Sequence, residues 1–454
     1  MKVEVFAHPL SFRDRPRAQA EHLAGSGVDG VRLAFAYHGG RWLLTTSDPC
    51  AVADFRAGRW FHDDSAPEPA GTIRPQLPVR GDDATAATAA LRGAGLSVTA
   101  WLVGLHQSGP AGRHPGSALR NVFGHRYRHA LCPARPEVRD YAADLVARTA
   151  RRPGVSGLEL EAFGYLGWQH QSAHDKLGTP LRPVDRWLLS LCFCPACAAR
   201  FTAAGVDVPA LTQAVRAALR AQLDAPRPAG DPATDARAVL GDDLHATVLA
   251  VRARVTEELV RTAAEAAGGL PVSVRTTADP HACDGKSAAG FDALADAAGG
   301  LTVTDLSGDA GALRRDLAAA ARTGARISAG WSLAADRTTD EAQLAGVAAD
   351  ARSAGADALV LYAYDLAPAA RLAWLRGLGA ARPAAPTTTY ESAPGTTTAA
   401  AAGLAIAGPP SAAAPGTAGE AALGPATAAV TARPSPAART TAPLSVPPTP
   451  EPVR

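Results

Sequence analysis

Between Met1 and about Pro383 the apolar residues fall into two alternating patterns. Short β-rich runs occur at Lys2 to Phe6, Gly30 to Tyr37, Leu96 to Gly104, Val155 to Ala162, Leu270 to Arg275, Gly300 to Asp305, Arg326 to Trp331 and Ala356 to Tyr364. Between them lie stretches of helical periodicity, among them Asp83 to Ala94, Pro136 to Arg152, Val184 to Ala204, Ala246 to Ala267, Gly311 to Thr323 and Asp340 to Ala354. A strand followed by a covering helix, repeated eight times, predicts an α/β protein of the (β/α)8 TIM barrel class. An open doubly wound sheet is the competing arrangement, and the repeat count favours closure. Thr339-Asp340-Glu341 offers a helix cap with early acids, and Gly95, Gly154 and Gly355 each precede a strand as a helix-stopping glycine should. Two connections are too long for ordinary barrel loops: His38 to Gly81 after the second strand, and Phe163 to Pro271 after the fourth, which holds an insertion over about 163–245. Both belong to the face where barrel active sites are built.

From Ala384 to Arg454 the chain is Ala, Pro, Thr, Gly and Ser with almost no large apolar side chain. Such a segment cannot bury enough surface to offset ordering its backbone, so a disordered tail is expected beyond a barrel domain of residues 1–383. With 45 basic against 43 acidic residues there is no field of one sign to draw in nucleic acid or an anionic membrane. Met1 to Phe6 carries charges within its apolar run and reads as a first strand, not a signal peptide, and no segment has the apolar length of a membrane span. A cytoplasmic, soluble protein is the expectation. No phosphate-binding glycine loop, nucleophile elbow or zincin helix occurs.

Chemistry enters with the cysteines. Three of the six fall in Cys192-Phe193-Cys194-Pro195-Ala196-Cys197, a C-x-C-x-x-C cluster suited to a thiolate-loving ion such as zinc. Cys132, in Ala130-Leu131-Cys132-Pro133, starts the third helix, and the third and fourth connections are neighbours on one barrel face, so it can supply the fourth ligand. Four thiolates leave no open position for water, which makes the expected role structural. Reduced core cysteines and a redox pair are the alternatives; Cys50 and Cys283 are left unassigned.

The run Leu131-Cys132-Pro133-Ala134-Arg135-Pro136-Glu137-Val138-Arg139, a strand ending in Glu161, and Cys192 to Phe201 together resemble the zinc-bearing β-galactosidases of glycoside hydrolase family 42, and a looser group of glycosyl-hydrolase-like barrels. The match covers about seventy residues. It implies a structural zinc on Cys132, Cys192, Cys194 and Cys197, a carbohydrate substrate, and an acid/base at Glu161. The chain departs from that family on the seventh strand, where Ser328-Ala329-Gly330-Trp331-Ser332 has no counterpart to the nucleophilic glutamate.

In Gly157-Leu158-Glu159-Leu160-Glu161 the leucines should face the helices and the two acids the barrel interior. Glu161, nearer the C-terminal end, is the leading catalytic candidate. Glu159 is either a substrate-binding group or part of an internal ion-pair layer with Glu4, Arg32, Arg275 and Arg326. Asp305, ending the sixth strand, and Asp365, just beyond the eighth, are the available second carboxylates. His38, His106, Tyr165, Trp331, Tyr362 and Tyr364 sit at strand ends where rings and polar groups suit a sugar, with Phe163, Trp168 and His170 extending the set. His174-Asp175 is a weaker metal or proton-transfer candidate. Two functions follow: a glycoside hydrolase, or a non-catalytic carbohydrate-binding barrel derived from one.

Overall fold

The computed structural model describes residues 1–46, 50–63, 76–168 and 176–378. The segment from Ala384, His170 and the pair His174-Asp175 lie outside these residues. Eight strands form the barrel: β1 (Lys2–Ala7), β2 (Gly30–Tyr37), β3 (Ser97–Val103), β4 (Gly157–Glu161), β5 (Val272–Thr276), β6 (Gly300–Asp305), β7 (Arg326–Ser332) and β8 (Ala358–Tyr362). Each pairs in parallel with its sequence neighbours, and β8 pairs with β1 to close the ring. Closure therefore selects the barrel over the open sheet. The glycines at 95, 154 and 355 all hold positive φ, between +75° and +84°, a region glycine enters without steric cost. Asp340 caps its helix by accepting the Gln343 amide at 2.8 Å. Among the described residues no helix is long and apolar enough to cross a membrane.

The insertion after β4 differs from expectation in one place that matters. Val184 to Ala204 is not a single helix but two, Pro183–Leu189 and Pro195–Ala203. Proline cannot continue a helix and pushes the residue before it into extended backbone, so Pro195 starts a new helix with Cys194 extended at φ −71°, ψ 161°. That break turns Cys192 and Cys194 out of helical spacing. Helices Val208–Asp224 and Pro232–Leu240 complete the insertion before Asp242–Glu265 returns to cover the barrel. Two antiparallel ribbons lie on the same face: Gly40–Leu44 with Ala51–Phe55 after β2, and Ala118–Arg120 with Arg126–Leu131 after β3.

Strand alternation fills the barrel interior with polar and aromatic groups instead of the usual branched aliphatics. Arg32 on β2 is the meeting point. Its Nε donates to Glu4 Oε2 at 2.9 Å, its Nη1 to Glu159 Oε2 and to Thr302 Oγ1 at 2.8 Å, and its Nη2 to Ser328 Oγ at 2.6 Å. Burial weighs against its charge, and Glu4 supports it. Arg275 on β5 takes the other Glu159 oxygen at 3.1 Å and Glu161 Oε2 at 2.6 Å. The result is one alternating chain, Glu4, Arg32, Glu159, Arg275 and Glu161, from the lower to the upper end of the barrel. Glu159 is fully buried within it and out of a substrate's reach, which assigns it to the ion-pair layer and corrects its reading as a sugar contact. Arg326 is absent from the chain; it is exposed at the lower rim and donates to the Val272 carbonyl at 3.2 Å.

Removing one partner of a buried ion pair leaves an uncompensated charge and costs about 3–5 kcal/mol. Glu159→Gln is expected to lose that much in urea unfolding, whereas Thr302→Val, which deletes the hydroxyl bonded to Arg32 and Glu159 but leaves no charge unpaired, should lose about 2 kcal/mol. Equal small losses would remove the ion chain from its central place in the fold.

Candidate functional site

At the C-terminal ends of the strands Glu161 is the last residue of β4, and its side chain keeps 14% of its surface accessible. Its Oε2 accepts from Arg275 Nη1 and from the indole Nε1 of Trp101, each at 2.6 Å. Oε1 is directed toward Gly285, where an added Cβ would lie 3.6 Å away. The next residue, Ala162, has φ +59°, a left-handed conformation that costs an alanine roughly 1 kcal/mol or more and gathers at functional sites. Its amide donates to the Gly285 carbonyl at 2.8 Å, which fixes the loop after β5 against Glu161.

Aromatic rings form a collar around this carboxylate. Trp101 lies 4.9 Å from Phe6 and 4.8 Å from Tyr37, and Tyr362 lies 6.0 Å from Phe6. The Tyr37 and Tyr362 hydroxyls are 3.4 Å apart, and burial pushes both phenols up. The guanidinium of Arg275 stands 4.6 Å from the Phe6 ring centre, a cation–π contact that holds it level with the collar. His38 and His106 pack with tilted rings 4.5 Å apart on the β2 and β3 side, with His129 5.9 Å beyond. Burial lowers the His38 imidazole, opposed by the Gly39 carbonyl and by Glu161. Of the candidates read from the sequence, Glu161, His38, His106 and Tyr362 lie at this end of the barrel. Trp101, Tyr37, Phe6 and Arg275 join them without having been singled out as site residues, although strand parity alone points Trp101 and Arg275 inward.

Four candidates are placed elsewhere. Trp331 shares a face of β7 with Ile327 and Ala329, opposite Ser328, and is buried with its Nε1 on Thr338 Oγ1 at 2.8 Å. Tyr364 lies past the end of β8, stacked 5.9 Å from Phe12 with its hydroxyl on Gln19. Asp305 turns into its own loop, where Oδ1 accepts the Ser307, Gly308 and Asp309 amides and the Ser307 hydroxyl. Asp365 is sealed against the turn that follows β1, accepting the His8 amide at 2.8 Å and the Ser11 hydroxyl. In each case parity or a local hydrogen-bond demand outweighs proximity to a strand end.

His8 was also not singled out. Its Nδ1 accepts the Leu10 amide at 3.3 Å, while Nε2 is buried and has no hydrogen-bond partner among the described residues; the rings of Trp60, Phe55, Trp42 and Tyr37 surround it, with centres 4.7–5.5 Å away. Burial holds this imidazole well below its usual value, so it is neutral.

The second centre is buried beside the mouth. The sulfurs of Cys132, Cys192, Cys194 and Cys197 lie within 4.8 Å of one another, and from Cys132 Sγ the other three stand at 3.5 to 3.7 Å. A tetrahedron of sulfurs about 2.3 Å from a central ion has edges of about 3.8 Å, so the residues fit a four-thiolate metal. Disulfides would need about 2.05 Å, and all four cysteines are free. Burial pushes the Cys132 thiol up, while hydrogen bonds with Cys132, Cys192 and Cys197 pull that of Cys194 down. The Arg120 amide donates to Cys192 Sγ at 3.4 Å, and the Tyr165 hydroxyl is 3.4 Å from Cys197 Sγ. Tyr165 therefore serves the cysteine centre and not a sugar subsite. Arg252 stacks 4.3 Å above its ring and donates to Cys283 Sγ at 3.2 Å, tying the centre to the loop after β5.

No family model and no curated protein sequence matches the chain. Solved structures do. The glycoside hydrolase domain of PgaB (BpsB) from Bordetella bronchiseptica aligns over 84% of this chain and 100% of its own at 16% identity and a TM-score of 0.54. The fold is one this chain shares with that structure. An α-L-fucosidase from Paenibacillus thiaminolyticus aligns at 14% identity and a TM-score of 0.50, over 83% of this chain and 49% of its own. A β-galactosidase from the haloarchaeon Halorubrum lacusprofundi aligns at 13% and 0.50, over 83% and 57%. The chain thus spans about half the length of the latter two. At such identities the likeness is one of fold.

Two measurements follow from the geometry. Cys194→Ser should lose one equivalent of bound metal by plasma mass spectrometry and melt lower, while retention of the metal would disqualify the four-sulfur centre. Burial pushes the Asp365 carboxyl up to about 8, so the folded state keeps a proton that the unfolded chain releases near its ordinary value of about 4. Stability should therefore fall as pH rises from about 4 to about 8, by at most about 5 kcal/mol, and Asp365→Asn should flatten that slope in denaturant titrations.

Proposed function

We propose that the protein is a glycoside hydrolase in which Glu161 acts as acid/base on a carbohydrate substrate, with a structural zinc ion on the four cysteines. The observation that carries this reading is Glu161 itself: an inward carboxylate at the mouth of the barrel, held at one oxygen and, among the described residues, without a hydrogen bond at the other, followed by a strained left-handed residue. Glycosidic cleavage requires a proton on the leaving oxygen. With Oε2 fixed by Arg275 and Trp101, Oε1 is the atom placed to deliver it, and the collar of Tyr37, Tyr362, Trp101 and Phe6 supplies apolar faces of the kind that pack against sugar C–H groups. His38 and His106 border the same space and are the polar groups placed to meet hydroxyls. The bound ion would hold the segments carrying Cys132 and Cys192–Cys197 together and takes no part in the reaction.

A second reading, a carbohydrate-binding barrel without turnover, is favoured by one specific feature. β7 ends in Ser332, and both Asp305 and Asp365 are engaged away from Glu161. A panel of nitrophenyl glycosides and oligosaccharides separates the two. Glu161→Gln should reduce turnover by about a hundredfold or more with metal content and melting temperature unchanged. Undiminished turnover in that variant sinks the first reading; calorimetric sugar binding by the unmodified protein with no hydrolysis establishes the second.

A further inference from the structure

Two histidines meet outside both the mouth and the cysteine centre. His245 stands in the first turn of the helix Asp242–Glu265, and His281 in the loop between β5 and the helix Phe291–Ala298. Their Nε2 atoms lie 2.9 Å apart, the ring planes differ by 9°, and both residues are buried. Trp187 stands nearly perpendicular to both rings, its centre 4.9 Å from His281 and 5.7 Å from His245. Two turns further along the same stripe of the helix, Arg252 donates to Cys283, two residues past His281. The loop is therefore fastened to that helix at adjacent points. Beyond them it reaches Gly285, whose carbonyl accepts the Ala162 amide beside Glu161.

The two fastenings respond differently to protons. A guanidinium keeps its charge, whereas two imidazole nitrogens in contact need one proton between them, one Nε2 donating and the other accepting. Asp279 accommodates the first extra proton. Its Oδ1 lies 3.4 Å from His281 Nδ1, so an imidazolium at His281 has a carboxylate on one side and donates from Nε2 to His245 on the other. A second extra proton has no such place: it puts an N–H on both Nε2 atoms and two positive charges in contact. The pair thus titrates as a unit in two steps, and only the second forces the rings apart. Burial, His281 and Arg237 of the helix Pro232–Leu240 hold the His245 imidazole below its usual value against Asp242, and the positive end of its own helix acts in the same direction. On the other side Asp231 interacts with His281, and Lys286 is shared by Asp279 and by Asp284, 3.8 Å away. On the helix carrying Trp187, Arg182 is matched by Asp185 at 2.8 Å and Asp235 at 3.5 Å, and Arg186 is exposed. A histidine held below its ordinary value stabilises the folded contact above about pH 6.5 and loses that contribution as the pH falls.

We propose that the His245–His281 contact is an acid-released latch on the loop after β5: a second proton parts the rings, frees the segment around His281 and leaves the loop tied to the helix through Cys283 and Arg252. Through Gly285 the latch regulates the mouth of the glycosidase, and that consequence alone rests on the glycosidase reading.

Hydrogen exchange of the full-length protein, followed by mass spectrometry, reads the loop without any need of turnover. After correction for the intrinsic effect of pH, peptides spanning residues 277–290 should lose protection by about tenfold or more between about pH 7.5 and about pH 4.5, while the peptide of β6 keeps it. The change is opposite in sign to the acid stabilisation expected from Asp365, so global unfolding does not mimic it. His245→Gln, which cannot take the second proton, should keep the loop protected at about pH 4.5. Asp279→Asn retains the oxygen that accepts the His281 amide at 2.9 Å but removes the charge that favours protonation, and should move the transition to lower pH. It keeps the test decisive where His245→Gln disturbs the helix. Protection that does not change with pH in the unmodified protein overturns the proposal, as does a transition that neither substitution moves. A transition present in a protein that turns over no glycoside supports the latch and counts against the glycosidase reading alone.

Discussion

Arg32 and Arg275 hold the middle of the barrel by dividing Glu159 between them, and the positions of other groups depend on that division. A guanidinium buried at the centre of eight strands needs acceptors from several directions. It finds them in Glu4 on β1, Glu159 on β4, Thr302 on β6 and Ser328 on β7. Because donors and acceptors from five strands converge, a slip of one residue on any of them would withdraw its group and leave the others unsatisfied. The ion layer therefore acts as a register lock in a barrel that has few aliphatic side chains inside. It also delivers Arg275 to Glu161, so the placement of the mouth carboxylate is set by charges one layer below it.

The mouth is shaped from outside as well. The cysteine centre gathers the ribbon after β3 and the broken helix after β4, and the Phe193 amide to Arg120 carbonyl bond at 2.7 Å stitches them. Tyr165 and Arg252 pass that rigidity to Cys283 and the loop carrying Gly285, which in turn abuts Glu161. A site on long connections gains precision when such connections are cross-linked, and here the link is a set of packed cysteine side chains and one stacked guanidinium. Cys283, unremarkable as a lone thiol in the sequence, is one of the anchoring points.

Periodicity made the architecture legible, since eight strand and helix repeats have few other ways to close. Parity made Glu161, Glu159, Glu4, Arg32 and Arg275 legible, because a side chain on a strand has only two directions. It was decisive where it was applied and misleading where proximity to a strand end replaced it. Trp331 and Asp305 each follow inward residues, Gly330 and Thr304, and therefore face away. Past the last paired residue no parity holds, which is why Asp365 and Tyr364 were unreadable. Asp365 answers to the His8 amide and Ser11 in the turn after β1, more than 350 positions away in sequence. The break at Pro195 was legible in principle from its dipeptide, but helical periodicity across Val184 to Ala204 concealed it.

The absence of an acid at the end of β7 gains meaning from the neighbouring packing. Gly330 has Thr304 so close that an added Cβ would meet its side chain at 2.4 Å, and Ser332 beyond it supports the turn by accepting the Ala334 amide. A longer side chain at 332 would give up that bond and enter the space beside Tyr362, with which Ser332 is in register. The strand is thus built around small residues, not merely missing one carboxylate. Any opposing group for Glu161 has to come from a loop over the mouth, where His38 and His106 already stand. A mouth carboxylate facing a wall of small residues leaves the far side of the pocket to be filled by whatever binds there, more than by the strand ends.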